Sequence, residues 1–96
     1  MTGIELIAQE RQRQLDSENW TAEHDAQYVS GELADAAICY AICNRVGTIA
    51  NDVFLTIWPW DLDWYKPKDR ITNLKKAGAL IAAEIDRIQN TKTENE

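Results

Sequence analysis

Positive charge is scarce in this sequence of 96 residues. Ten lysines and arginines stand against sixteen aspartates and glutamates, which gives a net charge of −6. Affinity for nucleic acid depends on cations that neutralise phosphates, so broad nucleic-acid binding is not expected. An acidic surface instead favours solubility, or docking onto a basic partner protein.

Long apolar runs and clustered cysteines are also lacking. No stretch approaches the ~20 apolar residues that a bilayer-spanning helix needs, and no basic region followed by an apolar run marks a secretory signal. We therefore expect neither a membrane span nor export. The two cysteines, Cys39 and Cys43, are four positions apart. On a helix this spacing is poorly suited to a disulfide, so we expect buried, reduced thiols in a cytosolic protein.

Paired strand patterns are missing as well, whereas helical patterns are frequent. Thr2 and Glu5 have the spacing of a capping box, and Thr21 is a good N-cap. Residues 32–45 are apolar almost all round, which is typical of a central, buried helix. The pattern predicts an all-α domain over residues 1–90, with three main helices at about 3–16, 22–46 and 67–89, and a polar tail at 91–96.

The last predicted helix carries a heptad-like apolar seam. Its members recur at steps of 3, 4, 3, 4 and 3: Ile71, Leu74, Gly78, Ile81, Ile85 and Ile88. Glycine within a helix costs ~1 kcal/mol relative to alanine. Close approach of another helix would offset that cost, and the alanines of residues 34–41 are the expected partner. A small core beside such a seam predicts self-association, most simply as a dimer.

Between the predicted helices lies a tryptophan-rich connector, residues 57–70, packed across the bundle. It contains three of the four tryptophans and both prolines. Trp60 and Trp64 offer faces on which a base can stack. Lys66, Lys68 and Arg70 follow them near a predicted helix N-terminus and could bind phosphate. The pattern indicates a site for a nucleotide-like ligand, but a protein interface or plain core packing would use the same residues.

Acidic residues form a second candidate site. Glu32 and Asp35 share a helix face, and such a pair can hold Mg²⁺ together with substrate phosphates. They also suit the first turn of a helix, where negative charge is favourable. Upstream, Glu23 and the single histidine, His24, are candidate catalytic groups, although a surface or capping histidine has the same pattern.

Several motifs together resemble a family of small proteins encoded by tailed phages and prophages. They lie at residues 10–14, 20–25, 31–37, 40–41, 58–60, 64–67, 69–70, 76–81 and 83–87. This resemblance implies a phage origin and a role in the host cytoplasm. A weaker resemblance links residues 32–35 to the all-α nucleotide pyrophosphohydrolases of the MazG type. That group also needs a Glu-x-x-Glu pair on the preceding helix, whereas Glu5 and Glu10 are five apart here.

The favoured hypothesis is a non-catalytic binding protein that sequesters a nucleotide-like ligand, or occludes a host protein, as counter-defence proteins do. It needs no cofactor. The first alternative is a Mg²⁺-dependent nucleoside triphosphate pyrophosphohydrolase, with Glu32 and Asp35 as metal ligands and Glu23 or His24 assisting. The second alternative is an acidic accessory protein that binds a basic host factor.

Overall fold

The computed structural model of the chain describes residues 1–43 and 56–95. Four α-helices lie in these ranges, together with a 3₁₀ helix at Leu62–Trp64. The α-helices are α1 at Gly3–Ser17, α2 at Ala22–Asp25, α3 at Glu32–Ile42 and α4 at Arg70–Asn95. No strand occurs in the same ranges. The predicted all-α class is confirmed.

Helix α1 begins as its sequence predicts. The Thr2 hydroxyl accepts from Glu5 N–H at 3.2 Å, and the Glu5 carboxylate accepts from Thr2 N–H at 2.8 Å. These reciprocal bonds satisfy two backbone donors that lack partners within the helix.

The single helix predicted at 22–46 is wrong, because two helices and a turn occupy its described part. Thr21 caps the short helix α2. Gly31 then adopts φ +89°, a left-handed conformation through which a right-handed helix cannot continue. Helix α3 starts directly after it, and Ser30 N–H donates to the Glu32 carboxylate at 2.7 Å. Residues 44–46 lie outside the described residues.

Helix α4 starts later and ends later than its sequence predicts. Pro67 lies before the helix. The Asn73 side chain forms hydrogen bonds with the backbone N–H and C=O of Lys68, which holds that residue outside the first turn. The first helix residue is Arg70, and the Asp69 carboxylate accepts from Thr72 N–H at 3.2 Å. The backbone stays helical to Asn95, so the predicted end at 89 is too early.

The core is built around α4, which packs against α1, α2 and α3. Its buried face meets the buried face of α3, and both are rich in small residues. The core cluster consists of Leu33, Ala36, Ala37, Tyr40, Ala77, Leu80 and Ala83. Because α4 packs against both α1 and α3, its faces toward these helices are buried and its remaining face is open to solvent.

The predicted seam of α4 does not face this core. Its five large residues remain exposed, because Ala77, Leu80 and Ala83 of a neighbouring face pack inward instead. The close approach predicted at Gly78 does occur, but its partner is Ile7 of α1 rather than the alanines of α3.

In the described ranges, no helix is both long enough and apolar enough to cross a bilayer.

Candidate ligand-binding site

A cavity of about 360 Å³ opens between α1, α2, the tryptophan-rich connector and the core. Apolar and aromatic side chains dominate its wall, and charged side chains gather at one side. The lining residues are Glu10, Arg13, Gln14, Glu18, Trp20, His24, Tyr28, Leu33, Tyr40, Trp58, Trp60, Asp61, Trp64, Lys66, Lys76 and Leu80. The cavity therefore collects residues from nearly the whole length of the described chain.

A continuous series of stacked and edge-on rings forms the aromatic wall. Neighbouring ring centroids lie 4.7–6.0 Å apart, the usual range for favourable aromatic pairs. In spatial order the rings are Trp20, His24, Tyr28, Trp60, Trp58, Tyr65 and Tyr40. Within it, Trp20 and His24 are almost parallel, with 3° between their planes. This series joins α2, the connector and α3 into one surface.

Hydrogen bonds hold the connector in position against the core. Trp58 Nε1 donates to the Asp61 carbonyl at 3.1 Å, and Lys66 N–H donates to the Tyr40 hydroxyl at 3.1 Å. Burial raises the pKa of Tyr40, so this phenol stays neutral at physiological pH. Trp60 Nε1 is buried and has no hydrogen-bond partner among the described residues. Ring packing, not hydrogen bonding, therefore sets the position of Trp60.

One side of the cavity is a charged wall built on α1. Glu10 is only 5% exposed, and Arg13 binds both of its carboxylate oxygens, at 2.8 and 2.9 Å. Arg13 also reaches the Glu18 carboxylate at 3.1 Å. Burial alone would raise the pKa of Glu10, but the hydrogen bonds from Arg13 and Gln14 outweigh it and hold that pKa below its usual value. The wall thus carries a buried carboxylate that stays ionised.

Two lysines complete the charged side of the cavity. Lys76 Nζ donates to the Lys66 carbonyl at 2.8 Å and lies 5.2 Å from the centre of the Tyr40 ring. Burial lowers the pKa of the Lys76 ammonium. Lys66 also lines the cavity, although the residue is exposed. An anionic group bound here would meet two ammonium groups beside aromatic rings.

His24 is held in the cavity wall by a buried carboxylate. Its Nδ1 lies 2.9 Å from Asp25 Oδ1, and Arg11 donates to Asp25 Oδ2 at 2.9 Å. Asp25 is 2% exposed, so the pair sits behind the wall rather than in it. In the neutral tautomer with its proton on Nδ1, the ring donates to Asp25, and Nε2 can accept a hydrogen bond from a bound molecule.

The predicted ligand-binding residues divide into two groups. Trp60, Trp64 and Lys66 line the cavity, whereas Lys68 and Arg70 are not part of its lining. The Arg70 guanidinium instead donates to the carbonyls of Ala41 and Cys43, the latter at 2.8 Å. A cation at the last carbonyls of a helix is favourable, so Arg70 serves as a C-terminal cap for α3.

The predicted catalytic and metal residues divide in the same way. His24 lines the cavity, but its partner is Asp25 rather than Glu23. Glu32 and Asp35 lie in the first turn of α3, away from the cavity lining. Across residues 1–43 and 56–91, no group of three or more His, Cys, Asp or Glu side chains could hold a metal ion. The structure therefore supplies no further ligands to the proposed Glu32–Asp35 pair.

Most of the cavity wall was not predicted from the sequence. Glu10 and Gln14 are the buried residues of α1, and Arg13 lies beside them. Lys76 lies in α4 far from the connector in sequence. The available signal was the presence of four tryptophans, three of them in the connector, which does not reveal which rings meet.

Comparisons with family models, with curated proteins and with solved structures found no match for this chain.

Proposed function

We propose that this chain is a small binding protein that holds one nucleotide-like ligand in the aromatic cavity. The observation that carries the proposal is a ring-lined cavity with lysines at one side. Aromatic faces bind bases by stacking, which contributes ~1–3 kcal/mol per base. Lys66 and Lys76 would neutralise the phosphate, a role that replaces the predicted run of Lys66, Lys68 and Arg70.

The size of the cavity supports a single small ligand. At about 360 Å³ it lies near the lower end of the ~300–1,000 Å³ typical of small-molecule sites. A mononucleotide is a better match to that space than a dinucleotide or a nucleic-acid strand. The Nε2 acceptor of His24 would contact an N–H or O–H donor of the ligand.

Binding without turnover is favoured because seven of the sixteen lining residues carry rings on which a ligand can stack. The charged groups of α1 are already paired with one another, as in Arg13 with Glu10 and Glu18. The phage-like motifs support a biological setting in which such a protein sequesters a nucleotide signal in the host cytoplasm. That setting is part of the proposal, as is self-association.

Calorimetric titration with mononucleotides, nucleoside triphosphates and cyclic nucleotides tests the proposal directly. We expect one ligand per chain and a raised melting temperature, because a ligand that binds only the folded state stabilises it. Trp60→Leu should weaken binding about tenfold by removing a stacking face. No heat and no thermal shift with any nucleotide would overturn the proposal.

A matched pair of lysine variants tests the position of the phosphate. Lys66→Ala should weaken binding several-fold, whereas Lys68→Ala, two residues away and outside the cavity, should not. Equal effects of the two changes would mean that general positive charge, not this cavity, attracts the ligand. Melting curves of the free variants show whether either change disturbs folding.

An incubation with nucleoside triphosphates and Mg²⁺ separates binding from the pyrophosphohydrolase alternative. Binding alone predicts no release of pyrophosphate. Release that Glu32→Gln abolishes would favour the enzyme instead.

A further inference from the structure

Five large aliphatic side chains form an exposed stripe on α4, here called the outer face. Ile71, Leu74, Ile81, Ile85 and Ile88 are each between 42% and 62% exposed. They are separate from the cavity, to which α4 contributes only Lys76 and Leu80. Single exposed aliphatics are ordinary, whereas several that share one helix face form an apolar patch of the kind that is often functional.

The order of residues along the outer face is the same from either end. With Gly78 included, the steps are 3, 4, 3, 4 and 3. If a second copy of α4 lies antiparallel, position 71 comes opposite position 88 and position 74 comes opposite position 85. Position 78 then lies opposite position 81, and the Ile7 side chain covers Gly78 at that point. Every layer of such a pairing is therefore apolar on both sides.

We propose that two copies of this chain associate through their outer faces, with the α4 helices antiparallel about a twofold axis. The interface is isologous, so each stripe covers the other. A second copy is the occupant favoured because it presents an apolar stripe of the same length and spacing, so that no charged side chain of either stripe is buried.

The apolar area is sufficient for a modest dimer. At roughly half exposure each, the five side chains present on the order of 400 Å² per protomer. Two copies would thus bury about 800 Å² of apolar side chain before the rim is counted, close to the ~1,000–1,200 Å² at which specific interfaces begin. We expect dissociation in the micromolar range rather than a permanent dimer.

Repulsion between the two Lys75 side chains favours the antiparallel orientation. The outer face itself has no charged member, but Lys75 lies beside it on the helix. In a parallel pair the two Lys75 side chains would lie at the same level. In the antiparallel pair they are about 13 Å apart along the helix axis, at 1.5 Å of rise per residue, which weakens their repulsion.

Sedimentation equilibrium over a concentration series reaching about 0.5 mM measures the association. We expect a reversible monomer–dimer equilibrium. The double variant Ile81→Glu/Ile85→Glu should remain monomeric throughout, because its carboxylates would be buried unpaired against the apolar side chains of the partner stripe. Leu62→Glu, which places the same charge on an equally exposed aliphatic residue outside the stripe, should dimerise as the native chain does.

A native chain that stays monomeric over the whole series overturns the proposal, as does a double variant that still dimerises. Circular dichroism of each variant shows that the fold is retained, which is expected because the substituted side chains are exposed. Nucleotide titration of the monomeric variant is independent of this result, since the cavity is on another face of α4.

Disulfide trapping tests the orientation. An oxidised mixture of Ile71→Cys and Ile88→Cys proteins should form a mixed crosslinked dimer faster than either protein alone. The native chain, with Cys39 and Cys43, supplies the background rate. Faster crosslinking of either single variant by itself would show a parallel pair and contradict the antiparallel arrangement.

Discussion

At the scale of single residues, Gly78 decides how closely α1 approaches α4. A Cβ placed at position 78 would lie 2.6 Å from Ile7 Cδ1 and 2.7 Å from Ile7 Cγ1. Separations under 3 Å are not tolerated, so Ile7 would have to move. The glycine is thus retained despite its low helix propensity because the neighbouring helix occupies its side-chain space.

Gly78→Ala should therefore lower the free energy of unfolding by about 1 kcal/mol. The clash with Ile7 costs ~1–3 kcal/mol, and the helix propensity of alanine returns only ~1 kcal/mol. In an Ile7→Ala background the clash is gone, so the same change should stabilise the protein by about 1 kcal/mol. Urea denaturation of the four proteins in this double-mutant cycle measures both values. A Gly78→Ala variant that is more stable than the native chain would contradict the close contact.

At the scale of elements, side chains that bind backbone groups join the connector to the helices. The Asn73 amide is fully buried and pairs with both backbone groups of Lys68, at 2.7 and 2.9 Å. Arg70 joins the start of α4 to the end of α3. These hydrogen bonds of Asn73 and Arg70 hold the connector in the position where its rings form part of the cavity wall.

Asn73→Ala should lower the free energy of unfolding by about 2 kcal/mol, because two backbone groups lose their partners. Asn90→Ala is the matched control, since Asn90 is exposed on the same helix and its loss should change stability by under ~0.5 kcal/mol. Chemical denaturation compares the two variants. Equal effects would mean that the Asn73 amide does not support the connector.

Arg70→Ala separates the capping role from the predicted phosphate-binding role. We expect a loss of about 1 kcal/mol in stability, since hydrogen bonds from an exposed cation to helix carbonyls are of that size. Nucleotide affinity, where measurable, should be unchanged. Lys66→Ala should give the opposite pattern, with weaker binding and unchanged stability. An Arg70 variant that loses nucleotide affinity but not stability would show that this residue binds the ligand rather than capping α3.

At the scale of the whole molecule, the buried carboxylate of Glu10 links stability to pH. Its pKa in the folded protein is below the ordinary value of 4.5. The unfolded chain therefore binds a proton more readily than the folded chain in this range. The stabilisation is fully present above pH 4.5 and is lost as pH falls through the lower, folded pKa.

We accordingly expect the free energy of unfolding to fall as pH is lowered below about 4.5, and Glu10→Gln to reduce the slope of that fall. Urea titrations at several pH values between about 3 and 6 measure the slope for both proteins. An unchanged slope in the variant would show that other carboxylates dominate the acid response. Stability of the variant at pH 7 supplies the reference.

Local patterns in the sequence were sufficient for the fold class and for several helix ends. The capping box at Thr2 and Glu5 and the N-cap at Thr21 both depend on neighbours within a few residues. The start of α4 was misplaced because it depends on Asn73, whose side chain binds backbone several residues away. A hydrogen bond between a side chain and a backbone group of this kind leaves no recognisable pattern in the sequence.

The cavity lining overlaps only partly with the residues predicted as ligand contacts, for a related reason. Of the predicted connector residues, Trp60, Trp64 and Lys66 line the cavity. The approach of α1 and α4 then decided that Arg13 and Lys76 line the cavity, and that Arg70 does not. Contacts between distant segments depend on packing, which the spacing of residues along one helix does not specify.

The seam of α4 shows most clearly the difference between what residue spacing specifies and what helix packing specifies. The spacing of Ile71, Leu74, Ile81, Ile85 and Ile88 is enough to place them on one side of a helix, because helical geometry sets that periodicity. That this side faces outward depends on how the other helices pack against α4. The small residues Ala77 and Ala83 let α3 pack closely on the adjacent face, and burial of that face left the larger side chains for the surface.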